Sequence, residues 1–185
     1  MKSSVMVGGA SDSYSRREMD YYPTPYEVTQ ALVDTGVIPP GSTIWEPACG
    51  EGHMAEVFLK NNLNVVCSDI RETGYGQCMD FLTGPKVDVD VIATNPPFNL
   101  SAEFIQRCID LEVPRFAMLL KSQYWHSSRR SSLFAKFPPA YIFALTWRPN
   151  FCAGERGSSP TMDMLWTVWI KGITDTRYRV LRKSA

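Results

Sequence analysis

A run from Val89 to Thr94 that is mostly apolar and β-branched, and that stops at Asn95-Pro96-Pro97, constrains this chain more than any other feature. Such a run suits a parallel strand buried on both faces, and two prolines without N–H groups cannot continue a sheet ladder. A strand covered on both faces needs helices on both sides of its sheet, and the flanking sequence provides them in alternation. Thr24, Pro25 and Glu27 predict a helix start, with a capping Thr, a Pro at the first helical position and an acid in the first turn; that helix runs to about Asp34. After Pro39-Pro40-Gly41 come a strand over Thr43 to Glu46, a helix over His53 to Asn61 and a strand over Val65 to Asp69. Gln77 to Met79 is a short strand candidate weakened by Gly74 and Gly76. Ser101 caps a helix through about Glu112, Phe116 to Leu120 is a strand, and Ser128 to Phe137 a helix. Tyr141 to Trp147 and Leu165 to Ile170, separated by a loop with Gly154, Gly157 and Pro160, suit an antiparallel pair. The alternation implies a mostly parallel α/β sheet, which binds ligands where loops leave the carboxyl ends of its strands.

The 185 residues suit one globular domain, expected over residues 21–185 behind a flexible arm over 1–20, with no room for a second full domain. A 44% hydrophobic and 21% charged composition excludes the disordered and fibrous classes. Nineteen basic and nineteen acidic side chains cancel, so any nucleic-acid surface must be a local patch. Cys49, Cys67, Cys78, Cys108 and Cys152 lack the close spacing of zinc or redox pairs and read as reduced thiols. His53 and His126 have no partner spacing that suggests a metal site or catalysis, and no metal is expected. No apolar run has the length of a membrane span and no signal peptide opens the chain, so no membrane partner and a cytoplasmic location are expected.

Four motifs fall at strand ends. Glu46-Pro47-Ala48-Cys49-Gly50-Glu51-Gly52 joins a strand to a helix. Its glycines let backbone pass close to a ligand, and the helix start offers amide donors to the carboxylate of an amino-acid-like cofactor; the alternative is an ordinary turn. Asp69, before Ile70, ends the next strand, where an acid accepts ribose hydroxyls or simply forms a turn. Asp80-Phe81 reads as an adenine-binding pair or as a turn acid and a core aromatic. Asn95-Pro96-Pro97-Phe98 is the most specific of the four; its alternative is a proline stop with Phe98 folded into the core.

Together with Tyr22-Pro23-Thr24-Pro25, these motifs, in this order, resemble S-adenosylmethionine-dependent adenine-N6 DNA methyltransferases, especially short phage-encoded ones. The resemblance covers Tyr21 to about Gly172 and is sharpest before Lys121. It implies a Rossmann-like methyltransferase fold: a mostly parallel seven-stranded sheet with helices on both faces and a C-terminal antiparallel strand. It implies S-adenosyl-L-methionine held by Thr24, Glu46, Pro47, Ala48, Cys49, Gly50 and Gly52, with Asp69 and Ile70 at the ribose and Asp80 and Phe81 at the cofactor adenine. Asn95, Pro96, Pro97 and Phe98 would hold a target adenine in DNA that is flipped out or already unpaired, in a bacterial or phage-infected cell.

The adenine amino nitrogen is a poor nucleophile because its lone pair is delocalised. Acceptance of its two hydrogens by the Asn95 side chain and the Pro96 carbonyl would aim that pair at the donor methyl, and Phe98 would stack on the base. Lys121, Arg129, Arg130, Arg148 and Arg156 are the candidates for phosphate contacts, and Tyr124 and Trp125 either wedge into a duplex or pack under the neighbouring helix. A homodimer is a candidate assembly, and a separate partner subunit is a candidate source of sequence specificity. Adenine in RNA, a protein glutamine, or a non-catalytic subunit role are the alternatives; against glutamine, those relatives end the motif in Tyr where this chain has Phe98.

Overall fold

Ile44 and Trp45 are neighbours in the chain and both are fully buried, yet they pack into different cores on opposite sides of one sheet. The computed structural model describes residues 23–151 and 162–183, without the Arg129 side chain; the expected arm over residues 1–20 lies outside them. The helices are α1 (Tyr26–Asp34), α2 (His53–Lys60), α3 (Ser101–Asp110) and α4 (Ser128–Lys136). The strands are β1 (Thr43–Glu46), β2 (Asn64–Asp69), β3 (Gln77–Cys78), β4 (Val91–Thr94), β5 (Arg115–Lys121), β6 (Tyr141–Leu145), β7 (Met164–Ile170) and β8 (Arg177–Leu181).

Strand alternation sorts the side chains. Ile44, Val91, Ala93, Ala117 and Leu119 face one core with Val28 and Leu32 of α1 and Met54 and Phe58 of α2. Trp45, Ile92, Phe116, Met118 and Leu120 face the other with Phe104, Ile105 and Cys108 of α3. Both faces of the central strands are therefore covered, as the β-branched run over Val89 to Thr94 requires.

The sheet order is β3-β2-β1-β4-β5-β7-β6-β8. β1, β2, β3, β4 and β5 are mutually parallel, and β7 lies antiparallel between β5 and β6. Chain order reverses between β1 and β4, which opens a crevice beyond their carboxyl ends.

Four local expectations are corrected. The sheet has eight strands rather than seven, because the Arg- and Tyr-rich segment Arg177–Leu181 pairs in parallel with β6. β4 begins at Val91 rather than Val89, since the Asp90 carboxylate accepts the Thr43 N–H (2.8 Å) and holds the entry to β1 instead. Thr24 does not cap α1: Pro25 holds the N-cap position with no side-chain hydrogen bond, and Thr24 is used by a distant residue described below. Ser101 does not cap α3 either. A 3-10 turn over Phe98–Leu100 leads into that helix, and the Ser101 hydroxyl donates back to the carbonyls of Pro97 (3.3 Å) and Phe98 (3.1 Å).

Candidate active site

A cavity of about 930 Å³ lies beyond the carboxyl ends of β1, β2, β4 and β5, and three of its walls come from separate sequence motifs. The first wall is the loop after β1. Glu46, Pro47, Ala48 and Cys49 line the cavity, and Gly50 and Gly52, with φ of 54° and 85°, turn the backbone into α2. Positive φ is the region that only glycine enters cheaply, so both positions need the residue they have. The loop is strapped to β2 through Cys49 N–H to the Ser68 carbonyl (3.0 Å) and Gly50 N–H to Asp69 Oδ2 (2.8 Å).

Asp69 is therefore first a structural clamp. Its Oδ1 accepts the Arg71 N–H (2.9 Å) and Nε (3.0 Å), and Arg71 Nη2 reaches Oδ2 at 3.1 Å. Burial by itself would raise the Asp69 pKa, but the Arg71 and Gly50 hydrogen bonds outweigh it and hold the carboxyl below its ordinary value. A ribose at this strand end must share the carboxylate with Arg71 or displace it.

Glu46 is in the opposite condition. It is 2% exposed, burial pushes its pKa well above the ordinary carboxylate value, and its Oε2 has no hydrogen-bond partner among the described residues. A buried acid of this kind is stabilised by an incoming cation or donor. Beside it, Cys49 is held below the usual thiol range by a hydrogen bond with Cys67, whose own pKa is raised by the same bond and by burial.

The second wall is Asp80-Phe81. Phe81 is fully buried, with its ring centroid 5.1 Å from that of Trp45 and 4.8 Å from that of Phe104. Asp80 accepts the Leu82 N–H (2.9 Å) and the Thr83 hydroxyl (2.8 Å), a turn-forming pattern, while both residues line the cavity. The pair is a turn acid and a packed aromatic, and it forms part of the cavity wall. Ile70, 56% exposed, closes the same side.

The third wall is the turn after β4. Asn95 Nδ2 donates to Thr24 Oγ1 (3.1 Å), which sets the amide with its oxygen as the acceptor end. The Pro97 carbonyl is consumed by Leu100 N–H (2.9 Å) and the Ser101 hydroxyl. The Pro96 carbonyl has no hydrogen bond among the described residues. Phe98 is half-buried and lines the cavity, with the Lys121 ammonium 3.8 Å from its ring centroid.

The five basic candidates separate. Lys121 sits at the cavity on Phe98. Arg130 packs over Tyr124 at 4.1 Å and donates to its carbonyl, and Arg148 pairs with Asp163 at 2.7 Å, so neither lines the cavity. The Arg129 side chain and Arg156 lie outside the description. Tyr124 is buried and Trp125 packs on Phe134 of α4, so this pair lies under the helix. Sequence reasoning missed Arg71, His53 and Leu82 as lining residues. Arg71 had a signal, a cation two residues past a strand-terminal acid; His53 and Leu82 had one as well, since each directly follows a site motif, at Gly52 and at Phe81.

No family model matches the chain, and no curated protein matches it in sequence. Solved structures do match. A protein assigned as an RNA methyltransferase from Pyrococcus horikoshii superposes with a TM-score of 0.63 at 14% identity, over 82% of this chain and 87% of that one. The methyltransferase subunit of a type I restriction-modification system from Streptococcus thermophilus gives 0.66 at 10% identity, over 86% of this chain but 47% of that one. A dimethyladenosine transferase from Plasmodium falciparum gives 0.57 at 16% identity, over 81% and 62%. This chain thus spans about half the length of the restriction-modification subunit. At such identities the likeness is one of architecture: the chain shares the fold of these methyltransferases.

Proposed function

We propose that this chain transfers a methyl group from S-adenosylmethionine to the exocyclic amino group of adenine in DNA. The observation that carries the reading is the third wall, where the Asn95 amide, hydrogen-bonded to Thr24, and Pro96 belong to one turn that lines the same cavity as Glu46 to Cys49. The cavity fits the cofactor. Glu46 offers a buried, unpartnered carboxyl oxygen to an ammonium group, the Pro47 to Cys49 segment ahead of the Gly50 and Gly52 turn lines the cavity, and the Asp69 strand end offers a carboxylate to a ribose.

S-adenosylmethionine supplies, when bound, a methyl group on positively charged sulfur, which reacts with an aligned lone pair. The protein's part is alignment. Asn95 Oδ1 and the Pro96 carbonyl each accept one amino hydrogen of the adenine, which draws the nitrogen toward tetrahedral geometry and frees its lone pair. Both acceptors are stronger partners for the transition state than for the planar ground state. Thr24 keeps the Asn95 amide from rotating, and the fixed φ of Pro96 and Pro97 keeps the carbonyl in place. No strong base is needed, because the methylated nitrogen is acidic enough to lose its proton to water. Phe98 and Lys121 form the lip on which the extruded base rests, and a base–aromatic stack of about 1–3 kcal/mol offsets part of the unstacking cost.

Adenine in RNA is the second reading, favoured by the RNA methyltransferase likeness over 87% of that chain. Transfer of labelled methyl from the cofactor to adenine-containing DNA, to RNA of the same sequence and to whole-cell protein separates the readings. Label in N6-methyladenine of DNA is the expected result; label in protein alone, or in neither nucleic acid, would refute the proposal.

A further inference from the structure

The last strand carries a charge imbalance that the chain as a whole lacks. The 19 basic and 19 acidic side chains cancel overall, but residues 171–183 hold Lys171, Arg177, Arg179, Arg182 and Lys183 against Asp175 alone. β8 is exposed from Arg177 to Val180, with Tyr178 exposed by 66%. No acidic side chain pairs with Arg177, Arg179 or Arg182 among the described residues.

The register places Arg177 beside Tyr141 and Arg179 beside Phe143, on one face of the sheet. Both guanidinium groups pack on the same ring, at 5.9 and 5.6 Å from the Tyr141 centroid, and Arg177 also reaches the Tyr141 hydroxyl at 3.4 Å. Two cations held on one aromatic ring repel each other, and an anion passing over them relieves that repulsion.

The strip also points the right way. β6 is antiparallel to β7, β7 is antiparallel to β5, and β8 is parallel to β6, so β8 runs with β4 and β5 toward the sheet edge where the cavity opens. Just past its end, Lys183 pairs with Glu27 at 3.2 Å. Glu27 lies in the first turn of α1, directly after the Pro23-Thr24 segment that lines the cavity.

We infer that β8 is a docking strip for the sugar-phosphate backbone of the nucleic-acid substrate, with Arg177, Arg179 and Arg182 contacting phosphates while a base of the same strand reaches the cavity. The inference rests on the nucleic-acid reading given above. A second copy of the chain is a poor occupant, because edge-to-edge pairing of two β8 strands would bring their arginines together, the like-charge arrangement that protects sheet edges.

The test is the triple variant R177Q/R179Q/R182Q in the full chain, with R177K/R179K/R182K beside it to separate lost charge from lost folding. Binding of fluorescently labelled duplex DNA, and of RNA of the same sequence, is followed by polarisation across a salt series. Each duplex phosphate contact contributes about 0.9 to the log–log salt slope, so the Gln variant is expected to show a slope shallower by about 2 to 3 and affinity at least about tenfold weaker at 0.1 M salt. The Lys variant should keep most of the binding, and thermal midpoints and cofactor binding should match the parent in both. Unchanged affinity in the Gln variant would overturn the inference. So would parent binding to phosphatidylserine vesicles but not to oligonucleotides, or a dimer in sedimentation that the Gln variant abolishes. Parent methylation of DNA with an unchanged KM in the Gln variant would sink the strip and leave the proposed activity standing. Arginine-dependent DNA binding without methyl transfer would do the reverse.

Discussion

Asn95 meets two demands with one amide: its nitrogen is spent on Thr24, 71 residues earlier in the chain, and its oxygen is thereby turned to accept. In the proposed mechanism truncation to Ala removes one acceptor that acts mainly in the transition state, so Asn95→Ala should lower single-turnover methyl transfer by about 10²- to 10³-fold. Cofactor affinity, measured by titration, should stay nearly unchanged; a variant with wild-type turnover would remove Asn95 from the mechanism. Glu46 makes a prediction of the opposite kind. Because burial raises its pKa in the folded state, the unfolded chain releases this proton first as pH rises above about 4.3. Folding stability is then lost progressively from that pH up to the folded-state pKa. Glu46→Gln should unfold at a higher temperature than the parent at pH 7 to 8, with the gap closing toward pH 4, and should bind cofactor more weakly. A thermal scan with no pH-dependent gap between the two would show that Glu46 is not held protonated.

The elements are joined to the site by a few long-range contacts, of which Trp166 in β7 is the clearest. It is fully buried, and its indole N–H donates to the Val28 carbonyl of α1 at 2.8 Å, fixing the helix that presents Thr24. Trp166→Ala should cost about 3–5 kcal/mol of stability by chemical denaturation. Trp166→Phe, which keeps most of the volume and loses the hydrogen bond, should cost about 1–3 kcal/mol. Equal costs for the two would mean that packing alone holds α1. Legibility also divides at this scale. The helices and the strands β1, β2, β4 and β5 were readable because each carries its own pattern, but β8 was not: its five residues do alternate, yet they sit on an edge with Tyr178 and Val180 exposed, so no core burial accompanies the pattern. The misread helix starts at Thr24 and Ser101 share a cause. Both side chains have hydrogen-bonding alternatives, one to Asn95 and one to the Phe98 turn, that local spacing does not reveal.

For the whole molecule, a cofactor that binds only the folded chain must stabilise it. At 100 times its dissociation constant S-adenosylmethionine should add about 2.7 kcal/mol. For a domain of this size that is a rise in Tm of about 5 to 10 °C, read by differential scanning fluorimetry. Adenosine alone should give less, and no shift with either would remove the cofactor from the cavity. No helix among the described residues is long and apolar enough to cross a membrane.

Residue chemistry and periodicity along the chain determined the layered α/β architecture and three walls of the site, because glycine turns, strand-terminal acids and a proline stop act within a few residues of themselves. Only the tertiary structure decided how the polar groups are shared out. It turned Asp69 into a clamp for Gly50 and Arg71, gave Thr24 to Asn95, diverted Arg130 and Arg148 away from the cavity and drew β8 to the sheet edge. Those outcomes are competitions among hydrogen-bonding partners far apart in sequence, and only the folded chain brings the competitors within reach of one another.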